Sequence, residues 1–318
     1  MKYLIYIYII ISPLALCCQD VHFSQFYISK SFLNPALLGK QPEKIQLKLH
    51  TRSQWSSVSV PFKTNYISVD IKDVIFENNF GLNILQDVSG DSYFKTFGVG
   101  FTLSRQLLSS DKHKLSVGST FSFLQKSFDP TSLVFLDQEY FTDTELRYFD
   151  LFLGLDYDIQ LSDNSNISVG FSLDHVNKAD FSFVNQTKSG LEPKQIYYLL
   201  FSYQESNNLE IIPSLSFSKM SKVSELIFGL QTNYKASWLE NKTCIVSSGF
   251  FIRNNDAAIF LFGLEINQAA INFSYDVNTS SLAAASNNFG AYELSLVYNI
   301  KNKSRNTNNT SKRCPSYL

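Results

Sequence analysis

Four histidines are the first residues to test for chemistry, and their spacing suits no metal. His22, His50, His113 and His175 form no HExxH pair and no Cys/His pattern of the kind that closes around zinc. A nucleophile elbow (GxSxG) and a phosphate-cradling GxxxxGK[ST] are both missing, and no GxGxxG opens a helix. Gly98 and Gly100 lie inside an alternating stretch, where small lumen-facing residues or a bend account for them. Asp156 and Asp158 share one face of their strand as paired carboxylates. A barrel phospholipase would need a Ser/His pair beside them, and nothing local supplies one. They read as solvated lumen carboxylates. Cys17, Cys18, Cys244 and Cys314 contain no CxxC pair, so neither a zinc knuckle nor a redox motif is supported. An oxidising compartment would allow Cys244 and Cys314 to pair. The chain is read as no enzyme, with no cofactor and no metal.

The elements that carry these residues have a period of two. Ile45, Leu47 and Leu49 alternate with Gln46, Lys48 and His50; Ile167, Val169, Phe171 and Leu173 alternate with Ser168, Gly170, Ser172 and Asp174. Tyr292, Leu294, Leu296 and Tyr298 do the same near the end. Such alternation gives every strand one apolar and one wet face, and helical spacing is nowhere sustained. The wet faces are rich in Ser, Gly, Asn and Thr, which suit a watery interior. The segments run about nine to eleven residues, the length that crosses a bilayer at a tilt. Candidates cover 44–51, 62–71, 79–86, 93–104, 114–124, 147–159, 166–176, 195–204, 209–218, 224–234, 243–253, 257–266, 269–277 and 290–299. That makes about fourteen strands. A sheet in lipid must close, because an unpaired edge leaves polar groups unsatisfied. The expected fold is all-β: a single transmembrane antiparallel β-barrel, with Phe171 and Leu173 toward lipid and Ser172 and Asp174 toward the lumen.

Composition agrees with this reading. The 27 basic and 28 acidic residues nearly cancel, so no basic field suggests nucleic acid. Aromatics make up 15% of the 318 residues, with 28 Phe and 17 Tyr, a usage that favours strands and membrane interfaces. Mean hydropathy of −0.07 argues against a bundle of apolar helices but not against an alternating barrel wall.

Four regions follow. Residues 1–18 read as a signal peptide: Lys2 is the positive end and Tyr3 to Leu16 the apolar core, too short to span a bilayer, with a mature start at or near Gln19. Residues 19–43 read as an N-terminal periplasmic strap or plug, 44–300 as the barrel, and 301–318 as a polar, basic periplasmic tail holding Lys301, Lys303, Arg305, Lys312 and Arg313. An even strand number places both ends of the mature chain in the periplasm. The longest gaps, Gln125 to Leu146 and Asn177 to Lys194, read as extracellular loops, and Ser104 to Lys114 as a further connection.

Within 19–43 the aromatic residues Phe23, Phe26, Tyr27 and Phe32 are costly to leave in water, since fully burying one Phe is worth about 2–3 kcal/mol. They either fill the barrel or dock a partner. Asn34-Pro35 is a turn signal behind them, and Gly39 permits a left-handed backbone.

The order of these motifs resembles a known family. Gln19-Asp20-Val21-His22-Phe23-Ser24-Gln25-Phe26-Tyr27, then Leu33-Asn34-Pro35-Ala36 and Gly39, are similar to the opening of PorP/SprF proteins of the type IX secretion system. Arg52-Ser53-Gln54-Trp55 and Pro61-Phe62-Lys63-Thr64 resemble the family's first hairpin, and Gly81-Leu82-Asn83 with Asp87 and Gly90 its second turn. Phe273-Ser274-Tyr275-Asp276, Gly290-Ala291-Tyr292-Glu293-Leu294 and the closing Cys314-Pro315 resemble its end. The resemblance implies an outer-membrane, non-catalytic component of the type IX secretion and gliding machinery. Its implied partners are periplasmic ring and peptidoglycan-binding components and a large secreted adhesin. The rival expectation is a porin-like channel for small solutes.

Overall fold

The computed structural model describes residues 20–57, 60–90, 94–132, 144–179, 190–236, 243–281 and 283–301. The expected signal peptide, Cys314 and the tail beyond Lys301 lie outside them. Fourteen strands occupy most of the rest: β1 (Ile45–Gln54), β2 (Phe62–Ile75), β3 (Asn78–Ser89), β4 (Phe94–Ser109), β5 (His113–Ser127), β6 (Glu145–Ser162) and β7 (Ser165–Asp174), then β8 (Lys194–Gln204), β9 (Leu209–Met220), β10 (Val223–Ala236), β11 (Cys244–Arg253), β12 (Ala257–Ile266), β13 (Ala269–Asn278) and β14 (Phe289–Ile300). Each pairs antiparallel with its sequence neighbours, and β1 closes the barrel on β14 from Ile45 opposite Ile300 to Gln54 opposite Ala291. Closure leaves no edge, which is the condition for a sheet in lipid. Among the described residues no helix is long and apolar enough to cross a membrane.

Period-two alternation sets the two faces as expected. Leu47, Leu49, Ile67, Leu82, Phe101, Phe121, Leu155, Val169 and Phe171 are exposed on the outer wall. Their chain neighbours Lys48, His50, Ser68, Thr102, Thr120, Asp156, Ser168 and Ser172 are buried on the inner face. Phe171 is 38% exposed and Ser172 0%, a one-residue step that separates lipid from lumen. Gly98 and Gly100 are buried on the same inner face.

Connection length differs between the two ends. At the end where Ile45 and Ile300 meet, the turns 76–77, 110–112, 163–164 and 267–268 are tight. At the other end lie the long ones, 128–144, 175–193 and 279–288. The stretch Ser104 to Lys114 is therefore corrected. Strand β4 runs to Ser109 and β5 begins at His113, leaving a three-residue turn (110–112) at the tight end. Its polar residues, Arg105 among them, are in the sheet because strands here outrun the bilayer thickness; β4 has 16 residues and β6 has 18.

Candidate functional site

Barrels of eight strands fill with their own side chains, whereas much larger ones enclose an open lumen. This one is of intermediate size, and its lumen holds chain from residue 20 to residue 43. A helical turn, Lys30–Leu33, and a 3-10 turn, Pro35–Leu37, are its only regular pieces. Asn34 joins them by capping: its Oδ1 accepts from the Ala36 backbone N–H at 2.8 Å, while Pro35 opens the 3-10 turn without an N–H to satisfy. Gly39 then turns the chain with φ of 95°.

The segment runs the length of the barrel. Lys194 Nζ, at the start of β8, lies 2.9 Å from Asp20 Oδ2 at the long-loop end. Leu38 sits at the tight-turn end, where its carbonyl accepts from Ser104 Oγ at 2.7 Å and from Asn79 Nδ2 at 3.3 Å. The wall's two ends, Ile45 and Ile300, share one side as the even strand number requires. Asp20 does not join them: 24 residues of chain thread the lumen and carry it to the opposite mouth.

Each aromatic in the segment meets a partner from the wall. Phe23 is 3% exposed and stacks on His50 with ring centroids 4.0 Å apart, its edge contact with Phe32 being at 5.0 Å. Phe32, half-buried, also meets Tyr66 edge-on at 5.5 Å. Phe26 packs with Leu33, Leu37, Phe152, Tyr198 and Phe251 in the main apolar cluster, which fills the middle of the lumen. Tyr27 stacks on Phe251 at 5.6 Å. Asn34 is fully buried; its Nδ2 donates to the carbonyls of Leu155 (2.9 Å) and Phe171 (3.2 Å) across the β6–β7 pair. Pro35 and Ala36 lie against Gly118, where any Cβ would overlap their backbone.

Above the apolar cluster the segment is held by charge. Glu293 accepts from the backbone N–H groups of Ser24 (2.6 Å) and Gln25 (2.9 Å), and pairs with Arg52 at 2.5 Å and His50 at 3.1 Å. Arg52 and Arg253 both reach Asp276, at 3.2 and 3.0 Å, and both donate to Ser24 Oγ, which in turn donates to Asp276. Gln25 bridges Ser274 and Ser295. Buried charges persist only when paired and hydrogen-bonded, and here the backbone of the segment at Ser24 and Gln25 supplies two of the donors. At the mouth, burial works against a charge on His175, but Asp174, Asp150 and Asp20 outweigh it and carry its pKa up to about 11.

One reading of the residues changes. Asp156 is buried rather than solvated, accepting from Tyr198 Oη at 2.6 Å and from Ser168, and it pairs with Lys40, which also meets Asp158 at 2.7 Å. A Ser/His pair does form, but on another carboxylate than Asp156 or Asp158: Ser29 Oγ lies 2.9 Å from His50 Nδ1, and His50 Nε2 faces Glu293. The string has the connectivity of a nucleophile relay. All three residues are buried, however, and Glu293 is committed to Arg52 and two backbone amides, so it is a packing element of the segment. The signal for these contacts was present in β1, where Lys48, His50 and Arg52 occupy three successive inward positions. Ionisable groups repeated on a lumen face require partners.

Below the segment the lumen opens into a cavity of about 920 Å³ toward the tight-turn end, lined by Lys30, Lys40, Lys112, Asp158, Glu210 and Gln231 among others. Cys244 is buried, and Cys314, with which it could pair, lies outside the described residues.

The sequence matches a protein family described as type IX secretion system membrane protein PorP/SprF over residues 16–298. No curated protein sequence matches. Solved structures with a similar fold include the toluene transporter TbuX of Ralstonia pickettii, at TM-score 0.52 and 12% identity over 84% of this chain and 92% of that one. The deltaS2S3 mutant of the monoaromatic hydrocarbon channel TodX follows at TM-score 0.50 and 10% identity, over 87% and 94%. At such identity the likeness concerns the barrel fold alone. The closed fourteen-strand wall and the family match together place the protein in the outer membrane.

Proposed function

This chain belongs to the PorP/SprF family of type IX secretion system membrane proteins, and on that premise we propose that it is a non-catalytic anchor of the secretion machine with a stopped lumen. The observation that supports this reading is the segment 20–43, which bonds to strands all round the barrel. Withdrawing it would expose Phe23, Phe26, Leu33 and Leu37, all buried. At about 1.5–3 kcal/mol each this costs at least about 6 kcal/mol, before the Glu293 network is counted. A cost of that size holds the open fraction near or below about 1 in 10,000. The apolar wall keeps the protein in lipid. The long loops face outward to an exported client, a large surface adhesin, and the tight-turn end with the basic tail (301–318) faces the periplasmic ring and peptidoglycan-binding components. In this orientation Asp20 lies at the cell surface.

Planar-bilayer recording and pull-down of the intact membrane complex test the proposal together. The full-length protein should be electrically silent and should retain periplasmic components of the machine, and removal of 302–318 should weaken that retention. Steady ohmic conductance by the unmodified protein would favour the small-solute channel instead.

A further inference from the structure

Asp20, Asp174 and His175 converge at the long-loop mouth with one donor atom each, all within 4.8 Å of one another. We propose that they form a divalent-cation site of the Zn2+ type that clamps the first residues of the lumenal segment to the end of β7. His175 is 7% exposed. Its Nδ1 lies 2.8 Å from Asp150 Oδ2, which fixes the ring and turns Nε2 toward Asp20, while Asp174 Oδ1 lies beside the ring, 3.9 Å from Nδ1. That arrangement, in which a carboxylate holds the far nitrogen of a histidine, is the usual support of a metal-binding imidazole. Nε2 itself is buried and has no hydrogen-bond partner. It is 3.8 Å from Asp20 Oδ2. This is too long for a hydrogen bond, yet shorter than the sum of a Zn–N and a Zn–O bond, roughly 4.1 Å, so one ion can bridge the two atoms.

Charge points the same way. Asp20, Asp150 and Asp174 bring three negative charges, and Lys194, 2.9 Å from Asp20, brings one positive. The ion takes the place of the imidazolium proton, which is released on binding, and with the imidazole then neutral the cluster carries −2, which one divalent ion cancels. The donor set of one imidazole nitrogen and carboxylate oxygens suits Zn2+, with water completing the shell. Asp20 and Asp174 keep part of their surface exposed, so an ion can enter from the long-loop mouth. The site concerns how the segment is fastened. Its role as a clamp rests on the reading of 20–43 as a lumenal stop, whereas the binding itself does not.

The full-length barrel, purified in detergent and stripped with EDTA, is titrated with Zn2+ by calorimetry. One saturable site is expected, weakened about tenfold or more in His175→Gln and in Asp174→Asn. Both variants should keep the heat-modifiable gel mobility of a folded barrel. Zinc should also slow amide exchange at Ser24 and Gln25 in the unmodified protein only. No saturable binding by the stripped protein at neutral pH overturns the site and leaves a protonated His175 as an ion pair with its carboxylates. Equal affinity in the unmodified protein and both variants also overturns it. Zinc binding in a barrel that conducts would sink the lumenal stop and leave the metal site standing, and silence without zinc binding would do the reverse.

Discussion

Gly118→Leu tests the seat of the segment without touching the segment. Gly118 belongs to β5, opposite Ser104 on β4 and Gly154 on β6, and it faces Pro35 and Ala36. A Cβ there would overlap backbone atoms of both, and backbone has no rotamer with which to yield. Residues 33–38 must lift away. They then lose the two Asn34 bonds to Leu155 and Phe171, the Ser172 bond to the Leu33 carbonyl at 2.9 Å and the Ser104 bond to the Leu38 carbonyl. At about 0.5–1.5 kcal/mol each these four are worth about 2–6 kcal/mol. Uncovering Leu33 and Leu37 adds about 3–6 kcal/mol. Even a low total of about 5 kcal/mol corresponds to three to four decades in the local opening constant. Amide exchange at Leu37 and Leu38, whose N–H groups bond within the 3-10 turn, should speed up by at least about a thousandfold. Ser24 and Gln25 should stay protected by Glu293, and β5 should exchange as before. Unchanged protection at Leu37 and Leu38 in a folded variant would refute the argument that the segment is seated on the glycine surface.

Replacing Phe23, Phe26 and Tyr27 together by Ala should lower the melting temperature and raise bilayer conductance, because two of the three rings are core residues and Phe→Ala in a core costs about 3–5 kcal/mol; normal stability and silence with loss of co-purified periplasmic components would instead mark a docking strap. Phe171→Arg should cost about 2–4 kcal/mol of barrel stability in lipid. Ser172→Arg, on the opposite face, is not charged for entering lipid but must displace the Leu33 carbonyl, so its deficit should appear as loosening of residues 33–38; equal loss of barrel assembly in both would contradict the facing assignment. N-terminal sequencing should find cleavage near Cys17 to Gln19, and an amine-reactive label applied to intact cells should reach the new N-terminus; retention of residues 1–16 would sink the export reading.

The wall was legible in the sequence because strand facing is a local property. Each residue of a spanning strand meets either lipid or lumen, so Leu47-Lys48-Leu49-His50 states its own orientation, and fourteen such stretches state the barrel. The strand centres fell where the alternation did, and the ends were less defined because strand residues beyond the bilayer, such as Arg105, look like loop. Only the tertiary structure decided what fills the lumen. A polar inward position reads the same whether water or another chain segment satisfies it, so Asp156 looked solvated until Lys40 and Tyr198 were found upon it. Ser24 and Glu293 are 269 residues apart in the chain. Nothing local couples them, and the contact exists because closing β1 onto β14 brings Glu293 beside Arg52 in the space that the N-terminal segment enters. The side on which Asp20 emerges follows from the same cause. Strand parity fixes the ends of a wall, but a segment that runs through the lumen can reverse its own end, and only the partners waiting there determine that it does.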